Sequence, residues 1–232
     1  RRCHGQALAL VARRRCLQIL AATALLPTLV LLPALALLPT PARAAWPDKP
    51  LRIVVPYAAG GFTDILSRLL ATRLGERLGQ PVVVENKPGA ATMLGADAVA
   101  KSPPDGHTLL MATTSTLSTN PLMFRKMPFK TTDFVPVALA GLTPFVLVAH
   151  PSVPGQDAAA LVAHARANPG KLNLAMLGVG SSTHLVDELF RTAAGVDIPD
   201  VPYKGSGPAN VDLLAGHVQL TFDAVATAIP RV

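Results

Sequence analysis

Residues 51–70, Leu51-Arg52-Ile53-Val54-Val55-Pro56-Tyr57-Ala58-Ala59-Gly60-Gly61-Phe62-Thr63-Asp64-Ile65-Leu66-Ser67-Arg68-Leu69-Leu70, decide how the rest of the chain is read. The β-branched apolar run Ile53 to Val55 predicts a buried strand that stops at Pro56. Gly60-Gly61 frees the backbone for a tight turn. An amphipathic helix is expected next, with Ile65, Leu66, Leu69, Leu70 and Leu74 on its inner face. A strand, a glycine turn and a helix start together aim backbone N–H groups at one point, which suits an anion. That point is expected to form half of a ligand site.

Downstream the same grammar repeats. Val82-Val83-Val84 predicts a short parallel strand, Ala90 to Lys101 a helix with Met93, Leu94, Ala98 and Val99 inward, and His107 to Ala112 a third strand. Strands alternating with helices through short links define a parallel α/β unit with right-handed crossovers. Thr113-Thr114-Ser115-Thr116 then falls at the carboxyl edge, where open α/β sheets bind ligands. Thr143 to Ala149 reads as an apolar strand that ends at the hinge His150-Pro151. A second unit follows: a helix at 157–167, a strand Leu172 to Met176, and a helix from His184 to Ala194 with Leu185, Leu189 and Phe190 inward. A strand Val201 to Tyr203, a helix from Pro208 to Ala215 and a strand Val218 to Phe222 complete it.

Of the 232 residues half are hydrophobic, ample for a core, and the formal charge is +7. Arg1, Arg2, Arg13, Arg14, Arg15 and Arg43 all precede Ala45, and no acid does, so the remainder is close to neutral. The basic charge therefore marks a leader and not a nucleic-acid surface; the remainder also lacks a basic cluster interleaved with aromatics. Cys3 and Cys16 lie in the leader too, which leaves no thiol elsewhere for a disulfide or a cysteine metal site. Arg13-Arg14-Arg15, the apolar run Leu17 to Leu38 and the small-x-small Ala42-Arg43-Ala44 predict a secretory signal over 1–44, cleaved before Ala45. The alternative is an uncleaved anchor, against which Pro27, Pro33 and Pro39 interrupt the helix. Export through the general or the twin-arginine route stays open. The chain as given starts with Arg, not Met, so its natural start is open too.

Gly178 to Thr183 repeats the logic of Gly60-Gly61, with hydroxyls where the next helix begins. Ser181, Ser182 or Thr183 either caps that helix, worth about 1 kcal/mol, or grips a carboxylate with spare N–H groups. A charge-assisted bond is worth about 1.5–3 kcal/mol, so two such turns facing one another would hold both ends of a dicarboxylate. Tyr203-Lys204-Gly205-Ser206-Gly207-Pro208 is a third such turn, where Lys204 is either a cation for the ligand or a solvated surface lysine. Asp64 complements the dipole at its helix start or binds a ligand ammonium group. Ser181, His184 and Asp187 look triad-like, but they share one turn and one helix, and no G-x-S-x-G elbow is present. Six scattered histidines without an H-x-x-x-H pair give no metal site, and Gly178-x-Gly180 lacks the third glycine of a dinucleotide fingerprint. No cofactor is expected.

Pro56-Tyr57-Ala58-Ala59-Gly60-Gly61 with Asp64, Val84-Glu85-Asn86-Lys87-Pro88-Gly89-Ala90, and Pro104-Asp105-Gly106-His107-Thr108-Leu109-Leu110 resemble the Bug family, the extracytoplasmic solute receptors of tripartite tricarboxylate transporters. Asn120-Pro121, Asp133-Phe134, Asn168-Pro169-Gly170-Lys171, the His184-Leu185 helix and Val201-Pro202-Tyr203-Lys204-Gly205 continue the match to the end of the chain. The resemblance implies a type II periplasmic-binding fold: a first α/β lobe over 45–143, a hinge strand over 144–150 and a second lobe over 151–232. It implies a periplasmic, non-enzymatic monomer whose cleft closes on a small carboxylate: a di- or tricarboxylate, an acidic amino acid or a nicotinate-like acid. It implies docking onto integral-membrane permease subunits. Carried over by motif, the first ligand loop holds Tyr57, Ala59, Gly60, Gly61, Thr63 and Asp64. The facing loop holds Gly180, Ser181, Ser182, Thr183 and His184, with Thr114, Ser115, Asn120, Tyr203 and Ser206 nearby. Family members continue past this point to complete the first lobe, so an incomplete first lobe, and with it a truncated, non-functional copy, is also expected. The rivals are an exported hydrolase using Ser181 and His184, and a membrane-tethered ligand sensor.

Overall fold

A computed structural model describes residues 45–155 and 157–231; the expected signal segment, 1–44, lies outside the described residues. From Trp46 onward the chain forms one unit built on two small sheets. The first sheet has three parallel strands in the order β2–β1–β3, with β1 at Leu51–Val55, β2 at Val82–Asn86 and β3 at Thr108–Leu110. Ile53 stands opposite Val84 on one side and Leu109 on the other. Helices α1, Phe62–Leu78, and α2, Met93–Ala100, make the two crossovers. Val54 and Val55 have no exposed surface, as expected of a central parallel strand covered on both faces.

After β3 come one turn of π-helix at Ser115–Thr119 and a short helix α3, Asn120–Met123. Strand β4, Phe145–Ala149, opens the second sheet, whose order is β4–β7–β5–β6. Here β5 is Leu174–Met176, β6 Asp200–Pro202 and β7 Leu220–Ala224. β5 runs parallel to both β6 and β7, and β4 is antiparallel to β7, a pairing that hydrophobic pattern alone does not specify. Helices α4, Ala158–Ala167, α5, Ser182–Ala194, and α6, Ser206–Leu214, pack on this sheet, and α7, Val225–Ala228, follows β7. Leu161, Ala165, Leu172, Leu174, Ile198 and Leu220 form its larger core, with Phe190 edge-on to Phe222. Each of these leucines and Ile198, removed from water, contributes about 1.5–3 kcal/mol. Among the described residues, no helix is long and apolar enough to cross a membrane.

The helix faces differ from expectation. On α1 the buried residues are Asp64, Ser67 and Ala71, while Ile65 and Leu69 are 50% and 58% exposed. Small side chains let the helix lie close on β1 and β2, Leu74 packs beside them as expected, Leu66 and Leu70 are half-buried, and Ile65 and Leu69 point outward. On α5 the buried residues are Thr183 and Asp187, and Leu185 and Leu189 face solvent. α2 begins three residues later than expected, because Ala90, Ala91 and Thr92 all take positive φ angles of 46°, 51° and 74°. It buries Gly95 and Ala96 and leaves Leu94 outside. Periodicity places Leu74 and Phe190 inward, as they are, but close helix–sheet approach puts small and polar residues where Ile65, Leu69, Leu94, Leu185 and Leu189 are expected.

Candidate ligand site

Four loops leave the carboxyl ends of parallel strands: 56–61 after β1, 111–119 after β3, 177–181 after β5 and 203–205 after β6. The first is fixed by Asp64, which is buried in the opening turn of α1. Its Oδ2 accepts the Gly60 N–H at 3.0 Å and Arg68 Nε at 3.1 Å, and its Oδ1 accepts Asn86 Nδ2 at 2.9 Å. Burial pushes this carboxyl up, but Arg68, the Gly60 amide and Asn86 outweigh it and hold the pKa below the ordinary value. The alternative of a free carboxylate awaiting a ligand ammonium therefore meets oxygens already engaged by protein donors. The start of α1 carries no side-chain cap.

The first loop packs on the loop after β6, backbone against backbone. Ala58 N–H donates to Lys204 O at 3.1 Å. A Cβ on Gly207 would lie 2.0 Å from Ala59 O, and one on Gly61 would lie 2.5 Å from Ser206 Oγ. Glycine at these two positions is what permits the approach. Thus Ala59, Gly60, Gly61 and Ser206 come together.

A second contact joins the loop after β3 to the start of α5. Ser115 Oγ accepts the Ser182 backbone N–H at 2.8 Å and lies 3.1 Å from Ser182 Oγ. Gly180 rests against Asn120, Met123 and Phe124. Asn120 is fully buried; its Nδ2 donates to Ala91 O at 2.5 Å and Thr92 Oγ1 at 3.2 Å, and its Oδ1 has no partner among the described residues. Thr92 and Thr116 hydroxyls pair at 3.0 Å. Tyr57 OH meets Thr113 Oγ1 at 2.9 Å, linking the first contact to the second.

Other expected residues take different places. Ser181 is the N-cap of α5: its Oγ accepts the His184 backbone N–H at 3.2 Å and pairs with Thr183 Oγ1 at 2.8 Å. The His184 ring receives the Gly180 N–H on Nδ1 at 3.2 Å, and Asp187 makes no bond to it, so the three residues do not form a nucleophilic relay. Tyr203 turns its hydroxyl to Asp212 Oδ2 at 2.5 Å; burial and that carboxylate push it up to about 12. Thr114 is exposed, and Thr63 contributes its carbonyl to Ser67 Oγ. Asn86, Thr92, Thr113, Thr116 and Gly207 belong to the assembly without having been singled out. Asn86 lies in the quoted Glu85–Gly89 motif and Thr113 and Thr116 in the quoted hydroxyl run, so the signal for them was present.

His184, Glu188 and Asp200 bring potential ligand atoms within 4.8 Å of one another. Arg191 already serves as their cation, bonding Asp200 Oδ1 at 2.7 Å, Asp200 Oδ2 at 2.9 Å and also Glu188. An open groove of about 640 Å3 between α1 and the outer edge of β2 lies away from all four loops.

The α/β architecture, with its loops at the carboxyl ends of parallel strands, is that of a periplasmic binding protein. Residues 66–232 match the family model described as tripartite tricarboxylate transporter family receptor, and the chain belongs to that family. It is 41% identical over 189 residues to Protein BugT of Bordetella pertussis, covering 81% of this chain and 58% of BugT. Among solved structures it resembles R. palustris Rpa4515 with adipate, at 40% identity and a TM-score of 0.77, covering 80% of this chain and 62% of that one. It also resembles MatC from Rhodopseudomonas palustris with bound malate, at 34% identity and a TM-score of 0.74, covering 80% and 63%. The chain thus spans about three fifths of the length of these relatives. The family is one of receptors and not of enzymes.

Proposed function

We propose that the chain acts in the periplasm as a receptor for a small carboxylate, captured between its two sheets and handed to membrane permease subunits of a tripartite transporter. The observation that carries the reading is the meeting of four carboxyl-end loops at one seam, with the start of α1, which has no side-chain cap, on one side and the start of α5 on the other. Such helix starts favour anions without any Lys or Arg. The carboxylates bound by Rpa4515 and MatC support the same chemistry. The ligand contacts proposed are Tyr57 and the backbone of Ala59 to Gly61 on one side. On the other they are Gly180 to His184, with Ser115, Asn120 and Ser206 between them. The division into a first lobe over 45–143, a hinge strand over 144–150 and a second lobe over 151–232 is part of this proposal, as are action as a monomer and export by a cleaved signal over 1–44.

A thermal-shift screen of organic acids tests it. A binder at a hundred times its Kd stabilises the native state by about 2.7 kcal/mol, so adipate, malate or a related acid is expected to raise the melting temperature by several degrees. A panel of mono-, di- and tricarboxylates and acidic amino acids with no responder removes the reading.

A further inference from the structure

We propose that Asp187 takes up a proton from solvent when a carboxylate is captured at the start of α5, so that ligand affinity rises as pH falls. The inference rests on the receptor reading and adds a specificity-setting residue to it. Asp187 has no exposed surface, and neither carboxylate oxygen has a hydrogen-bond partner among the described residues. An ionised carboxylate in such a place loses its hydration and gains nothing in return. Its position gives that cost a consequence. It follows His184 by one helical turn and Ser182 by five residues, a rise of about 7.5 Å, so it lies beneath the first turn of α5, beside which the carboxylate is proposed to bind.

The charges around it do not relieve it. On its own helix Glu188 adds negative charge, and His184 has its Nδ1 engaged by the Gly180 N–H. Arg191 is divided between Asp200 on β6 and Glu188. From β7, Asp223 is engaged by Asn210 and Arg231; β5 contributes only Leu174, Ala175 and Met176. From α4, Arg166 is spent on Ala194 O at the far end of α5. The loop after β3 contributes the neutral Ser115, and α3 the neutral Asn120. One guanidinium thus faces three acids. Burial, then Asp200, push the Asp187 carboxyl up, Arg191 pulls it down and Glu188 adds to the rise, leaving it at about 8. A ligand carboxylate brings a further negative charge to the same helix, so binding the ligand and binding the proton favour one another by the same factor.

The test is titration calorimetry of the full chain with adipate and, separately, with malate, between pH 6.5 and 9, in two buffers of different ionisation heat. Both probes stay dianionic over that range. The wild-type chain is expected to take up protons on binding and to bind about fivefold more tightly at pH 6.5 than at pH 9, the part of one pKa unit of coupling that is realised by pH 9. Asp187→Asn is expected to bind with a flat pH profile, and Asp187→Ser serves as the second variant should the first melt abnormally. A wild-type profile without proton uptake overturns the inference and leaves the receptor reading standing. So does a slope that persists in both variants, as it would if His184 carried it. Absence of binding by either acid at every pH counts against the receptor reading itself and takes the inference with it.

Discussion

Ser115 Oγ accepts the backbone N–H of Ser182 at 2.8 Å, so the first amide of α5 is held by a residue that follows the first sheet. The bond joins the two halves of the molecule at the point where a carboxylate is proposed to bind. Ser115→Ala removes the acceptor and leaves a half-buried donor unpaired. A loss of about 1–3 kcal/mol in urea unfolding is expected; an unchanged midpoint would show that the bond contributes nothing to the seam.

Gly207 is a stronger constraint. A Cβ there would stand 2.0 Å from Ala59 O, a backbone atom with no rotamer to yield. Gly207→Ala is expected to cost about 1–3 kcal/mol or more and to weaken any ligand-induced thermal shift. Gly75, inside α1, is the control, since its Cβ would meet only Gln80 O at 3.4 Å. Gly75→Ala should be neutral or stabilising by up to about 1 kcal/mol.

Asp64 ties the first loop to acid stability. Its folded pKa is lowered, so it contributes stability above its unfolded value near 4, and that contribution is lost as pH falls through the folded value. Asp64→Asn is expected to be less stable than wild type at pH 7 and to approach it as pH drops below about 4. Denaturant melts at pH 3, 5 and 7 decide it; an equal difference at all three would contradict the linkage.

Asp187 has the opposite sign. Its folded pKa is raised to about 8, so the native state holds a proton that the unfolded chain has already released. Stability is fully present below the unfolded value and is lost as pH rises through the folded one. Asp187→Asn should match wild type near pH 4 and exceed it most at pH 8 and above, read as melting temperature against pH. A constant offset would mean that the side chain acts through packing alone.

Arg191 spans Asp200, Glu188 and the Ile198 carbonyl, the last at 2.9 Å. A lysine offers a point charge where the site uses a planar fork. Arg191→Lys is expected to lower the melting temperature clearly, and retention of wild-type stability would refute the role of the fork.

Much of the architecture was legible in residue order. The apolar run Ile53 to Val55 lies in the central strand Leu51–Val55, and Pro56 and the glycines after it ended the strand and opened α1, because backbone sterics act locally. The second set of strands and helices followed the same punctuation. Side-chain facing was not legible at α1 and α5, where Ile65, Leu69, Leu185 and Leu189 look inward by periodicity yet lie in solvent. Periodicity ranks hydrophobicity around a helix, whereas packing on a sheet also rewards a small residue such as Ala71 that allows close approach.

The sequence by itself determined the alternation of strand, turn and helix, the three glycine turns and the family, because each is written in neighbouring residues. Only the tertiary structure decided which turn meets which: Gly61 against Ser206 and Gly207 against Ala59, with Ser115 on Ser182. It also decided that Asp64 is engaged by Gly60, Arg68 and Asn86 while Asp187 has no hydrogen-bond partner among the described residues. Hydrogen bonding and desolvation depend on distances between segments far apart in the chain, and no local pattern carries those distances.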